Sequence, residues 1–123
     1  MINQIHKIAV VTDDIEGAVE YYTKVLGMEE VERFPGEDDD EDFVFLKAGG
    51  ITFELMPKKT MGTDVGFHHI SFDVGDVDEA ASELRGKGQD IEVEPFDAGV
   101  GGIRLAFFRG PNDVRLQLFN RTQ

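Results

Sequence analysis

The chain has no cysteine among its 123 residues. That excludes disulfides, thiolate metal sites and cysteine nucleophiles, and it fits either redox compartment. Positive charge is scarce: 12 Lys and Arg stand against 25 Asp and Glu, a formal net charge of −13. A chain so acidic repels nucleic acid and anionic membrane surfaces, so neither is an expected partner. No apolar run is long enough to span a bilayer, and the opening MINQIHKIAV lacks the basic and long apolar regions of a secretory signal. The expected location is the cytoplasm. What remains is 41% hydrophobic residues with ten phenylalanines, the composition of a globular protein whose length fits one domain, residues 1–123.

The densest acidic run, Glu37 to Asp42, has the carboxylates a hard cation wants but neither the spacing nor the glycine of an EF-hand. A solvated loop is the expectation there. A saline habitat would also produce such acidity.

Period-two alternation predicts a strand over IHKIAVVT, residues 5–12. Asp14 then caps a helix pattern, DIEGAVEYYTKVLG, that stops at Gly27. Strands are expected at Val31 to Phe34, Phe43 to Lys47 and Ile51 to Met56, the last two joined by Ala48-Gly49-Gly50. After PKKTMGTDV the order restarts: a strand at Phe67 to Val74, a helix capped by Asp76 and ended near Arg85 by Gly86-Lys87-Gly88, then strands near Ile91 to Val93, Arg104 to Phe108 and Val114 to Phe119. Gly110-Pro111-Asn112-Asp113 has turn chemistry. The glycine-rich stretch Ala98 to Ile103 reads as a flexible loop; no helix follows it, so it is no phosphate cradle.

Both halves therefore read β-α-β-β-β, with module one over about residues 4–57, a linker at 58–65 and module two at 66–120. Shifted by 62, the first half puts Ile8 on Ile70, Val10 on Phe72, Asp14 on Asp76 and Ala18 on Ala80 without a gap; at the other end a shift of 63 puts Phe53 on Leu116 and Leu55 on Leu118. Each half is too small to bury a core alone, so one pseudo-symmetric domain is expected.

The repeat separates the adjacent histidines of GFHHISFDV. His68 shares a face with Ile70, Phe72 and Val74, the side expected to lie under a helix, and His6 maps onto it. His69, Ser71 and Asp73 face the other way, as residues lining a ligand cavity would. Lys7 is the counterpart of His69. Glu54 and Gln117, each a polar residue between apolar neighbours, are counterparts on the last strands. Lys7, Glu54, His69 and Gln117 thus fall on equivalent, helix-free positions, and alternation turns Arg115 the same way.

The runs IAVVTDDIEGAVEYYTKVLGM, FELMP, HHISFDVGDVDEA and GPNDVRLQLF together resemble the vicinal oxygen chelate superfamily, which contains glyoxalase I, methylmalonyl-CoA epimerase, extradiol dioxygenases and bleomycin-resistance proteins. The D-x-x-x-A-x-x-Y-Y-x-x-x-L-G pattern from Asp14 to Gly27 is its most specific part. The resemblance implies an α+β fold in which two βαβββ modules curve eight strands into a cup, in a homodimer. It also implies that metal-dependent members take one ligand from each first strand and one from each last strand. Those positions here are Lys7, Glu54, His69 and Gln117. Glu54 and His69 suit a divalent metal such as Ni, Zn, Mn or Fe. Lys7 does not, because an ammonium offers donors and no lone pair. Gln117 stands where the glyoxalase-like members place a glutamate, and an amide cannot act as a general base. A one-residue bulge in the first strand would bring His6 inward and complete a His6, Glu54, His69, Gln117 set; the ungapped match from Ile8 to Ala18 carries no sign of one.

Two functions follow. One is a binding protein of the bleomycin-resistance kind, without metal, holding a small organic molecule through Lys7, Glu54, His69, Arg115 and Gln117, with Lys7 and Glu54 paired where a metal would sit. The other is a metal-dependent glyoxalase-like lyase or isomerase, or an extradiol-type dioxygenase, using His6, Glu54 and His69 with Glu54 as the candidate catalytic base.

Overall fold

Asp14 and Asp76 start the two main helices in the same way. Each has extended backbone and a carboxylate that accepts a hydrogen bond from the amide three residues on, Gly17 and Glu79, at 3.0 Å. That bond satisfies one of the amides a helix start leaves without an internal partner. The computed structural model describes residues 1–36 and 41–122. Most of the acidic run from Glu37 to Asp42 therefore lies outside the described residues.

The element order is β1 (Ile2–Thr12), α1 (Ile15–Glu20), β2 (Glu29–Phe34), β3 (Phe43–Ala48), β4 (Ile51–Pro57), α2 (Lys58–Met61), β5 (Gly66–Val74), α3 (Val77–Gly86), β6 (Val93–Asp97), β7 (Ile103–Arg109) and β8 (Arg115–Arg121). Strand ends move by a few residues from the sequence expectation, β1 beginning at Ile2 and β2 at Glu29, and three further details differ. The first helix passes at Tyr21–Val25 into a wider π-helical turn, where Tyr22 packs on Phe53 and Thr23 donates to the Val19 carbonyl. The linker forms the four-residue α2. The sixth strand begins at Val93 instead of Ile91; Glu92 is already bonded to the Phe107 carbonyl, but the register then shifts between Val93 and Phe96.

Contacts divide the chain into two compact units. One comprises Lys7–His68, the other Met1–His6 with His69–Gln123. In the first unit β4 lies between β1, which it meets in parallel, and antiparallel β3, with β2 beyond β3. Ile15 and Val19 of α1 pack on Val44, Leu46 and Leu55, the residues that alternation turns to one face. The opposite face holds Ala9, Val11 and Met56, with Phe43 and Met61 against them. Arg33 fastens β2 to α1, with Nη1 2.6 Å from Glu16 Oε2 and Nε 2.8 Å from Glu30 Oε2.

The second unit repeats the arrangement. β8 lies between parallel β5 and antiparallel β7, with β6 beyond. Val77, Ala80 and Ala81 of α3 pack on Val74, Ala106, Phe108 and Leu118. At Gly102 the backbone has a φ of +67°, and a Cβ there would lie 2.2 Å from the Thr122 carbonyl oxygen. Glycine is therefore needed for both conformation and space.

Candidate functional site

In the Lys7–His68 unit, the β1–β4 register sets Lys7 opposite Thr52 and Ala9 opposite Glu54, and β3 brings Phe45 to Glu54 from the other side. Lys7, Ala9, Glu54 and Phe45 thereby share the face away from α1. Lys7 Nζ is 3.8 Å from Glu54 Oε1, with side-chain exposures of 2% and 11%. The same nitrogen lies 5.9 Å from the centre of the Phe45 ring, within cation–π range. Burial pushes the Glu54 carboxyl above the ordinary carboxylate range, and the Lys7 charge opposes that shift. Taken from water singly, either charge would be costly; as a pair they compensate one another.

In the second unit, Ser71 and Phe107 flank Gln117 across the β5–β8 and β8–β7 registers. His69, Ser71 and Gln117 are all buried. The His69 ring meets Phe107 edge to face at 5.2 Å. Arg115, opposite Arg109, lies at the end of the same row and is half-buried. His6 stacks on Phe119 with ring centres 4.3 Å apart, and Gln4 donates to Asp73 at 2.9 Å.

That position of His6 differs from the expectation that it lies under a helix. Phe119 alternates with Leu118, which belongs to the α3 core, so His6 is on the face away from α3. Pairing with β4 runs unbroken from Lys7 to Thr12, so no bulge intervenes there. The reason is that the first six residues of β1 take their neighbours from the second unit, and those neighbours set which way the ring turns. His68 is buried.

The sequence reading missed the rings. Phe45, Phe107 and Phe119 stand beside Glu54, His69 and His6, and their alternation with Val44, Phe108 and Leu118 was the available signal. The unit also contains a cavity of about 590 Å³ on the α3 side, lined by Asp76, Asp78, Asp97, Arg104, Asn120 and Thr122 among others. Of these, Arg104 donates to Asp78 and Asp97. The cavity is separate from the face that carries His69 and Gln117.

A model of the glyoxalase/bleomycin resistance protein/dioxygenase superfamily matches residues 4–118. The chain belongs to this superfamily. It is 29% identical to the uncharacterized protein YwkD of Bacillus subtilis, over 98% of this chain and 99% of that one. It is 26% identical to the lactoylglutathione lyase GLX1 of Arabidopsis thaliana over 88% of its length, spanning 41% of that protein. Among solved structures it matches a methylmalonyl-CoA epimerase in complex with methylmalonyl-CoA and NH4+, with a TM-score of 0.81 and 25% identity over 99% of this chain and 96% of that one. The fold is that of the epimerases: α+β, with eight strands in two βαβββ modules.

Two of the four side chains at the implied ligand positions, Lys7 and Gln117, do not suit the divalent metal of some superfamily members. Among the described residues, no group of three or more His, Cys, Asp or Glu side chains is placed to hold an ion. The Lys7 ammonium has no lone pair and repels a cation from Glu54. Gln117 offers only a weakly coordinating amide oxygen.

Proposed function

We propose that the chain is a superfamily member that binds a small organic molecule without a resident metal, after the manner of the bleomycin-resistance proteins. The observation that carries this reading is the buried Lys7–Glu54 pair, 3.8 Å apart, at two of the positions where the family resemblance implies metal ligands. The lysine supplies in covalent form the positive charge that a metal would otherwise bring. His69, Gln117 and Arg115 are the further ligand-binding residues. Elemental analysis of protein purified without chelator tests the reading: metal far below one equivalent per chain is expected, and chelator should leave the melting temperature unmoved. A stoichiometric ion, or a melting temperature raised by nickel, zinc, manganese or iron, overturns it.

One observation favours a second reading. His6 lies on a helix-free face, as His69 does, so a metal-dependent lyase, isomerase or extradiol-type dioxygenase using His6, Glu54 and His69 is the alternative that stoichiometric metal would establish. We further propose a homodimer acting in the cytoplasm. Light scattering should return twice the 13.7 kDa chain mass. Among the described residues no helix is long and apolar enough to cross a membrane.

A further inference from the structure

We infer that the cavity beside the start of α3 is a second binding site, for a small organic cation that carries several N–H groups, an amine or guanidine of low mass. It lies apart from the face of His69 and Gln117, so it neither needs nor alters the metal-free reading above.

The cavity forms where β5 ends and α3 begins. Asp76 and Asp78 come from that junction, Asp97 from the end of β6, Arg104 from β7, and Asn120 and Thr122 from the last stretch of the chain. Between Asp97 and Arg104 much of the wall is glycine, so backbone lines it without side chains. That turn is held by its own hydrogen bonds, from the Ala98 amide to the Ile103 carbonyl at 2.9 Å and from the Thr122 amide to the Gly102 carbonyl at 3.0 Å. At about 590 Å³ the space falls within the range of small-molecule sites, roughly 300–1,000 Å³.

The lining sorts its hydrogen-bonding groups by kind. Each side-chain nitrogen in it already donates to a protein oxygen. Arg104 holds Asp78 through Nε at 2.6 Å and Nη2 at 2.9 Å, and Asp97 through Nη1 at 3.0 Å; Asn120 Nδ2 donates to the Val74 carbonyl at 2.7 Å. The carboxylates have capacity beyond these bonds, because each offers about four acceptor positions over two oxygens. Asp76 uses one oxygen on the Glu79 amide, and Asp97 uses one on Arg104. A ligand that complements this lining brings donors.

Charge makes those donors cationic. Three lining carboxylates stand against one lining guanidinium in a chain of net charge −13, so the local field favours a positive ligand. The positive end of the α3 dipole is answered by Asp76, Asp78 and Glu79 around the first turn. A guanidinium already sits on two of these carboxylates, bidentate at Asp78, so the protein's own arginine displays the chemistry they accept. A bare metal ion is not the match, because among the described residues no group of three or more His, Cys, Asp or Glu side chains is placed to hold one. Carboxylates dispersed around a cavity suit a cation whose donors are spread over a molecule. Val100, a lining residue 48% exposed, offers apolar surface to a methylene chain.

The test is isothermal titration calorimetry of the full chain with agmatine at constant ionic strength. One saturable site per chain is expected. Tetramethylammonium, a cation without N–H donors, and magnesium, a bare ion, should not compete for it. D97N, at a side chain 79% exposed and so without risk to the fold, should weaken agmatine about tenfold, the scale of one hydrogen bond to a charged group. D76N should do the same while still capping α3, because asparagine caps as well as aspartate. D13N, which removes an equal charge at an exposed position outside the cavity, should leave the affinity unchanged. Absence of a saturable site, wild-type affinity in D97N and D76N, an equal loss in D13N, or competition by tetramethylammonium or magnesium overturns the proposal.

Discussion

A lysine at 2% exposure is an expensive residue to bury, and its worth depends on one carboxylate. K7M should therefore destabilise the chain by about 3 kcal/mol, because it strands a buried Glu54 charge, while the K7M/E54Q double variant should recover most of that loss. Urea unfolding of the three proteins checks the coupling. The pH response has a definite sign. Burial raises the folded carboxyl above its ordinary value of 4.5, with Lys7 opposing, so the folded chain holds that proton more tightly than the unfolded chain. This contribution is complete below 4.5 and is lost as pH rises through the folded value. Melting temperatures followed upward from pH 4.5 should accordingly turn against wild type relative to E54Q; a difference that is constant, or that grows in favour of wild type, would contradict it.

Among the elements, the aspartate caps carry the plainest expectation. D76A removes the acceptor of the Glu79 amide and should cost about 1 kcal/mol, read by thermal or urea melting. Those caps were legible in the sequence because a helix start has local chemistry, and the repeat was legible because alternation and capping recur at matching positions from Ile8 to Ala18 and from Ile70 to Ala80. Lys7 and Glu54, expected to meet, do so. What local pattern could not reveal depends on distant partners. The π-helical turn at Tyr21–Val25 continues a pattern indistinguishable from an α-helix. The sixth strand starts late because of its partner's register. The face of His6 is decided by Phe119, which no window around His6 contains.

At the scale of the whole molecule, a net charge of −13 means that folding compresses like charges against one another. Raising sodium chloride from about 0.01 M to about 0.5 M shortens the screening length several-fold, so the melting temperature should rise with salt; a flat or falling dependence would show that repulsion is already balanced by pairs such as those of Arg33 and Arg104. Because such pairs are exposed or half-exposed, each is weak alone.

One strand has a consequence for how the chain is made. Residues 1–6 of β1 take their contacts from the second unit, with Gln4 on Asp73 and His6 on Phe119, whereas Lys7 onward belongs to the first. On a ribosome that adds about 5–20 residues each second, the segment made first waits several seconds, until its partners near the other end have been synthesised. In the meantime the Lys7–His68 unit is fully synthesised, while the leading end of its first strand, β1, still awaits partners.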